Sequence, residues 1–222
     1  MDLIKAMNER HSVRSYTEKK IEGETLEALR AEIDRCNAES GLSVQLVTDE
    51  PEAFDSFLAH YGKFSGVRNY IAVVGKKSEE LYEKGGYYGE KIVLKAQALG
   101  LNTCWVALTF SKKKAAYKVK KGEKLVCVIA VGYGQTQGVP HKNKSVDKLF
   151  KIDGSMPSWF RNGVYAAMTA PTAVNQQKFC FTLLPDGNVK AESTGGFYSK
   201  VDLGIVKYHF ELGAGDHSFK FI

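Results

Sequence analysis

The spacing of apolar and polar positions along the chain predicts a mixed succession of helices and strands. Residues 2–9 read as a short amphipathic helix with Leu3, Ile4 and Met7 on one side. In ETLEALRAEIDRC the apolar residues Leu26, Leu29 and Ile33 recur at helical spacing, and Gly41 closes the segment. SVQLVTD reads as a strand, and PEAFDSFLAHYG, with Pro51 in its first turn, as a helix. NYIAVVG is apolar and rich in β-branched residues, which predicts a central strand.

A helical run follows from Glu79 to Leu99, with an interruption expected at Gly85-Gly86 and an end at Gly100. NTCWVAL predicts a strand, SKKKAAYKV a short basic helix, and KLVCVIAVGYG the longest buried strand. QTQGVPHKNK is polar, contains glycine and proline, and reads as a loop. A shift in composition near residue 150 divides the chain into two expected units, 1–150 and 151–222. The second begins with the helix SWFRNGVYAAMTA, with Trp159, Val164 and Ala167 facing inward. The strand KFCFTLL, the turn Pro185-Asp186-Gly187 and NVKAEST then form a hairpin. YSKVDLGIVKYHFELGAG is a last helix and HSFKFI a last short strand. Helices mixed with hairpins predict an α+β fold, a sandwich of sheet and helices rather than a doubly wound parallel one.

Composition narrows the function classes. The chain has 222 residues, 44% of them hydrophobic and 25% charged, as in an ordinary globular protein with a proper core. No apolar run approaches the roughly 20 residues of a membrane span. The opening MDLIKAMNER mixes charges into a helical pattern, unlike a secretory leader, so a cytoplasmic location is expected. The four cysteines, Cys36, Cys104, Cys127 and Cys180, form no CxxC and lie near no histidine pair. Buried thiols are expected, without a disulfide framework or a zinc site.

The net charge is +6, and the excess is uneven: Lys112, Lys113, Lys114, Lys118, Lys120, Lys121 and Lys124 crowd one stretch. Tyr117 is the single aromatic residue there, too few for a base-stacking groove, so a phosphate-bearing small ligand ranks above nucleic acid.

Two stretches carry more chemistry than their structure needs. In RHSVRSY, extended backbone would point Arg10, Ser12 and Arg14 the same way. Two guanidinium forks and a hydroxyl on one face suit a phosphate; the same residues also suit a solvated basic segment paired with glutamates. In APTAVNQQKF, a proline is followed by Thr172, Asn175, Gln176 and Gln177. Amides offer donors and acceptors that could read a heterocyclic edge, or they could cap the Pro171 turn. There is no GxxxxGK[ST], no GxGxxG that opens a helix, no GxSxG and no HExxH. Histidines 11, 60, 141, 209 and 217 are dispersed, and His209 in KYHFEL reads as a core or helix-face residue.

Together these stretches resemble the FMN-dependent nitroreductase family. Its Arg-[Arg/His]-Ser-x-Arg signature is matched by Arg10, His11, Ser12, Val13 and Arg14. Its Ala-Pro-Ser-x-x-Asn-x-Gln-Pro signature is matched by Ala170, Pro171, Thr172, Asn175 and Gln177, with threonine for serine and Lys178 for the last proline. KAQALGLNTCW and CVIAVGYG resemble two further elements of the family. The order is unusual, because the Asn-x-Gln set ordinarily comes early and here comes late. Residues 158–213 look like a second, partial copy of the family's N-terminal half, which resembles a rearranged, tandem-half branch.

The resemblance implies a nitroreductase-like mixed sheet flanked by helices, and one FMN per chain between the two units. Arg10 and Ser12 would bind its phosphate, supported by His11, and Arg14 would lie toward the pyrimidine edge. Pro171, Thr172, Asn175 and Gln177 would meet ribityl or ring heteroatoms. The backbone of Trp105, Val106 and Ala107 would run near the flavin. The family's C-terminal Lys-x-Arg is poorly matched, leaving Lys144 or Lys142 to complete the phosphate site. NADH or NADPH would be the electron donor and a nitroaromatic, quinone or similar small planar molecule the acceptor. The chain would be a monomer with an internal pseudo-dimer, or a homodimer. The competing expectations are a non-catalytic flavin carrier or sensor and, from the lysine stretch, a nucleic-acid module.

Overall fold

The helix Leu3–Glu9 (α1) opens a computed structural model that describes residues 2–222. Its elements fall into two units, one formed by residues up to Leu81 with Lys91–Pro140, the other by Tyr82–Glu90 with His141–Ile222. The fold is α+β, as the periodicities predict.

The first unit continues with α2 (Gly23–Ser40), β1 (Gln45–Val47), α3 (Phe57–Tyr61), β2 (Tyr70–Lys76), the second half of α4 (Leu81–Ala98), β3 (Asn102–Val106) and β4 (Glu123–Gly132). Its antiparallel sheet has the order β1-β2-β4-β3. Both faces of β2 are buried, which is why its sequence reads as a continuous apolar run rather than an alternating one. The ten-residue β4 pairs on both sides, so Ala130 lies opposite Tyr70 in β2 and Cys104 in β3. Phe54 fills one end of this core, with its ring against those of Phe64, Tyr70 and Phe110.

Local expectations are corrected at several places. Pro51 starts a turn, not the helix: α3 begins after Ser56, whose extended backbone and side chain cap Ala59 N–H. SKKKAAYKV makes one turn at Lys112–Lys114 and then continues without regular structure. Its amides find side-chain partners instead of a helix: Ala116 N–H donates to Tyr70 Oη, and Gln45 pairs with both backbone groups of Lys118. Gly85-Gly86 does not interrupt α4, which is continuous from Leu81 to Ala98.

The second unit explains those glycines. It comprises the start of α4, a 3-10 turn at Val146–Lys148, β5 (Phe150–Lys151), α5 (Ser158–Met168), a second 3-10 turn at Ala173–Asn175, β6 (Phe179–Leu183), β7 (Val189–Ser193) and α6 (Ser199–Ala214). β6 is the middle strand, parallel to β5 and antiparallel to β7. Gly86 faces the carbonyl of Val201, and Gly204 faces that of Glu83, so α4 and α6 approach backbone to backbone where any Cβ would collide. Tyr87 donates to Glu211 and Lys207 pairs with Glu83 across the same helices. Between them His209 and Glu90 are fully buried at 2.9 Å, and Thr169 Oγ1 meets the other ring nitrogen of His209 at 3.0 Å. His209 is therefore a core residue, the first of the two placements its sequence setting allows, core or helix face. HSFKFI contributes only a single bridge, Phe221 to Val189, rather than a strand.

Candidate functional site

Two groups of chemistry-bearing residues stand out, one in each unit. The first is built where α1 ends. Arg10 caps the helix with extended backbone, and the chain that follows is stitched to neighbouring segments. Ser12 bridges Thr103 of β3, with Val13 N–H donating to Thr103 O at 3.0 Å, and Ser15 bridges Ser65. Tyr16 locks the segment from within: its hydroxyl donates to Val13 O at 2.7 Å, and its burial drives its pKa well above the ordinary tyrosine range. Gly138, at φ 73°, closes over the segment, because a Cβ there would stand 2.8 Å from that of His11.

This backbone carries Arg10, only 3% exposed, while Arg14 is open to solvent and His11 and Ser12 are half-buried. Charges and a hydroxyl of this segment act on the Cys104 thiol of β3. Burial raises the pKa of Cys104 first of all, and the Arg14 charge, a hydrogen bond with Ser12 and the Arg10 charge all oppose that rise. The cluster is electropositive, with a hydroxyl inside it, and suits an anionic group of small volume. Trp105 and Ala107 flank the buried Val106, where β3 ends.

The second group is the connector between α5 and β6. Thr172 N-caps a 3-10 turn in which Val174 takes φ 46°, and Asn175 and Gln177 follow at 54° and 43°. Three left-handed non-glycine residues in four positions need to be held there. Gln177, 2% exposed, does so with its whole amide. Its Oε1 accepts from Lys144 N–H at 3.0 Å, and its Nε2 donates to Lys142 O at 2.8 Å and to Asn175 Oδ1 at 2.7 Å. Asn175 Nδ2 donates to the same Lys142 carbonyl at 2.9 Å, and Lys144 Nζ reaches Gln177 O at 3.3 Å. Gln177 N–H donates to Thr172 Oγ1 at 3.0 Å.

The structure thus brings Lys144, Thr172, Asn175 and Gln177 together and shows why the connector is so polar. Much of its amide chemistry fixes the loop against Lys142–Lys144. Gln176 points elsewhere, donating to Phe197 O and to Asp202 Oδ2, both at 2.7 Å. Asp202 was not legible as part of this group. The available signal was an acid inside the apolar stretch Val201–Val206, which only pays attention to itself once α6 is seen to bury it. Burial pushes its carboxyl up to about 6, and the bonds from Gln176 and Ala173 pull the other way.

These features can be set beside known proteins. The family model described as "Putative TM nitroreductase" matches residues 2–214. The chain belongs to this family.

Among solved structures, a "putative nitroreductase" of Thermotoga maritima has 21% identity and a TM-score of 0.63, covering 96% of this chain and 83% of its own. A nitroreductase family protein of Streptococcus pneumoniae has 15% identity and a TM-score of 0.54, covering 68% of this chain and 99% of its own. A "putative nitroreductase" of Desulfovibrio desulfuricans in complex with FMN has 17% identity and a TM-score of 0.53, with coverages of 71% and 99%. No curated protein matches the chain. At these identities the likeness establishes the nitroreductase fold.

For this nitroreductase family member, the residues present fit a flavin mononucleotide chemically. Guanidinium and hydroxyl donors in the first unit suit a phosphate, and Asn175, exposed in the second, keeps one amide hydrogen and carbonyl capacity beyond its bonds to Lys142 and Gln177. Among the described residues no group of three or more His, Cys, Asp or Glu could hold a metal, and no helix is long and apolar enough to cross a membrane.

Proposed function

We propose that the protein is an FMN-dependent NAD(P)H oxidoreductase acting on small planar acceptors such as nitroaromatics or quinones. The observation that carries the reading is the Arg10–Arg14 segment, with Arg10 buried and Ser12 bridged to Thr103 of β3, in a chain that the nitroreductase family model matches over residues 2–214. Bound FMN would supply the redox chemistry, hydride transfer between NADH or NADPH and the acceptor in a ping-pong sequence.

The chain's own residues then have limited tasks. Arg10 and Ser12, with His11 beside them, hold the phosphate by charge-assisted bonds. Arg14 places positive charge toward the pyrimidine edge, favouring the anionic reduced cofactor. Trp105, Val106 and Ala107 supply backbone beside the ring. Pro171, Thr172 and Asn175 meet the ribityl or ring heteroatoms. Gln177 and Lys144 belong to the same group and act largely by fixing Asn175, given how fully Gln177 is engaged. No side-chain general base is required, because the cofactor carries the chemistry.

An absorbance spectrum of the purified protein tests the cofactor, and anaerobic addition of NADH or NADPH tests turnover. A flavin spectrum that bleaches with one of the nucleotides supports the oxidoreductase. Bound flavin that neither nucleotide reduces would mean a carrier or sensor. Arg10→Ala and Asn175→Ala are each expected to purify colourless; two fully yellow variants would overturn the assignment of the site.

A further inference from the structure

The turn that carries Asn175 is held from two sides, and only one of them involves residues assigned above. On that side, the amides of Asn175 and Gln177 close on the Lys142–Lys144 segment. On the other side stands Asp202, on the first turn of α6 and 5% exposed. Its Oδ1 accepts from Ala173 N–H at 2.9 Å and its Oδ2 from Gln176 Nε2 at 2.7 Å. These two donors bracket Val174 and Asn175, both in left-handed backbone. One carboxylate therefore spans the strained turn. The second bond of Gln176 Nε2, to Phe197 O, fixes that side chain to the segment leading into α6.

The energetic asymmetry is informative. A buried carboxylate is costly, and burial raises the Asp202 pKa despite both hydrogen bonds. An apolar residue on this helix face would stabilise the fold more simply. What the carboxylate supplies is two directed acceptors for charge-assisted bonds at the ends of a turn that ordinary backbone preferences disfavour.

We propose that Asp202 and Gln176 are positioning residues of the flavin site, holding the Val174–Asn175 turn in the one conformation in which Asn175 meets the cofactor. The inference rests on the flavin reading given above. Neither residue touches the cofactor in this scheme; both act through the loop backbone.

The test compares two measurements on flavin-stripped protein: the dissociation constant of FMN, from quenching of flavin fluorescence, and the thermal midpoint. Gln176→Ala should weaken FMN binding by about tenfold or more, the loss of a charge-assisted bond, while the midpoint moves little. Asp202→Asn keeps one acceptor but turns an amide donor toward the loop, and should weaken FMN at least as much. Unchanged FMN affinity in Gln176→Ala overturns the proposal. So does a large fall in midpoint with wild-type affinity, or a variant that fails to fold, because either would make the pair a support of the fold alone. Failure of the flavin reading looks different: wild-type protein would then take up no FMN at all.

Discussion

Val174 takes φ 46° with a β-branched side chain that is 90% exposed. Left-handed backbone disfavours such a residue by roughly 1–3 kcal/mol, and nothing buried compensates at the side chain. Val174→Asn should therefore stabilise the protein by roughly 0.5–1 kcal/mol, read as a higher thermal midpoint; a lower midpoint would show the turn gains from valine in a way its exposure hides. Asp202 gives a prediction about pH. Its carboxyl titrates at about 6 in the folded chain against an ordinary 3.8, so the folded state holds the proton more tightly than the unfolded state. Ionised Asp202 costs stability, in full above about pH 6, and the cost is relieved as the pH falls from 6 toward 4. Its ceiling is about 3 kcal/mol. Denaturant titrations of wild type and Asp202→Asn between pH 7 and 5 should show the difference shifting toward the wild type as the pH falls. A difference that stays flat would contradict this.

At the level of elements, the contact between α4 and α6 decides between two opposing effects. Alanine in place of a mid-helix glycine ordinarily stabilises by up to about 1 kcal/mol. Gly86 faces a main-chain carbonyl of α6 that has no side-chain freedom to yield, so Gly86→Ala should instead destabilise, by about 2 kcal/mol or more. A raised unfolding midpoint in urea would refute it. Beneath the glycines, His209→Leu would leave Glu90 buried without its imidazole partner, and a loss of about 3–5 kcal/mol is expected by the same measurement. The sequence read α4 as broken because Gly85-Gly86 is a local breaker signal; the reason for glycine lies more than a hundred residues away, in α6. The SKKKAAYKV segment failed for the converse reason. Its helical pattern is real, but Tyr70 and Gln45 offer its backbone partners that no local rule can see.

At the scale of the whole molecule, the order of the two signatures along the chain is the distinctive feature. Arg10–Arg14 lies in the first unit and Pro171–Gln177 in the second, and the family model runs across both, from residue 2 to 214. The lysine-rich stretch from Lys112 to Lys124 contains none of the residues proposed for the flavin. Replacing Lys112, Lys113 and Lys114 by glutamine should leave FMN affinity within about twofold of wild type at moderate salt, where exposed charges are screened beyond roughly 10 Å. A large loss would move the phosphate site toward that stretch.

The amino-acid sequence by itself determined the α+β class, the central and longest strands, the closing turn of α2 at Gly41 and the β6–β7 hairpin. These follow from periodicity, β-branching and turn chemistry, all of which act between near neighbours. It also determined the family resemblance, because two short signatures keep their spacing and most of their residue types, with Thr172 and Lys178 as the departures. Only the tertiary structure decided what each polar side chain of APTAVNQQKF does. Asn, Gln and Gln look alike in sequence, yet Asn175 stays exposed, Gln176 turns to Asp202, and Gln177 is buried against Lys142 and Lys144. Those assignments depend on partners 26 to 35 positions away, and a hydrogen bond of that reach leaves no periodic trace in the chain.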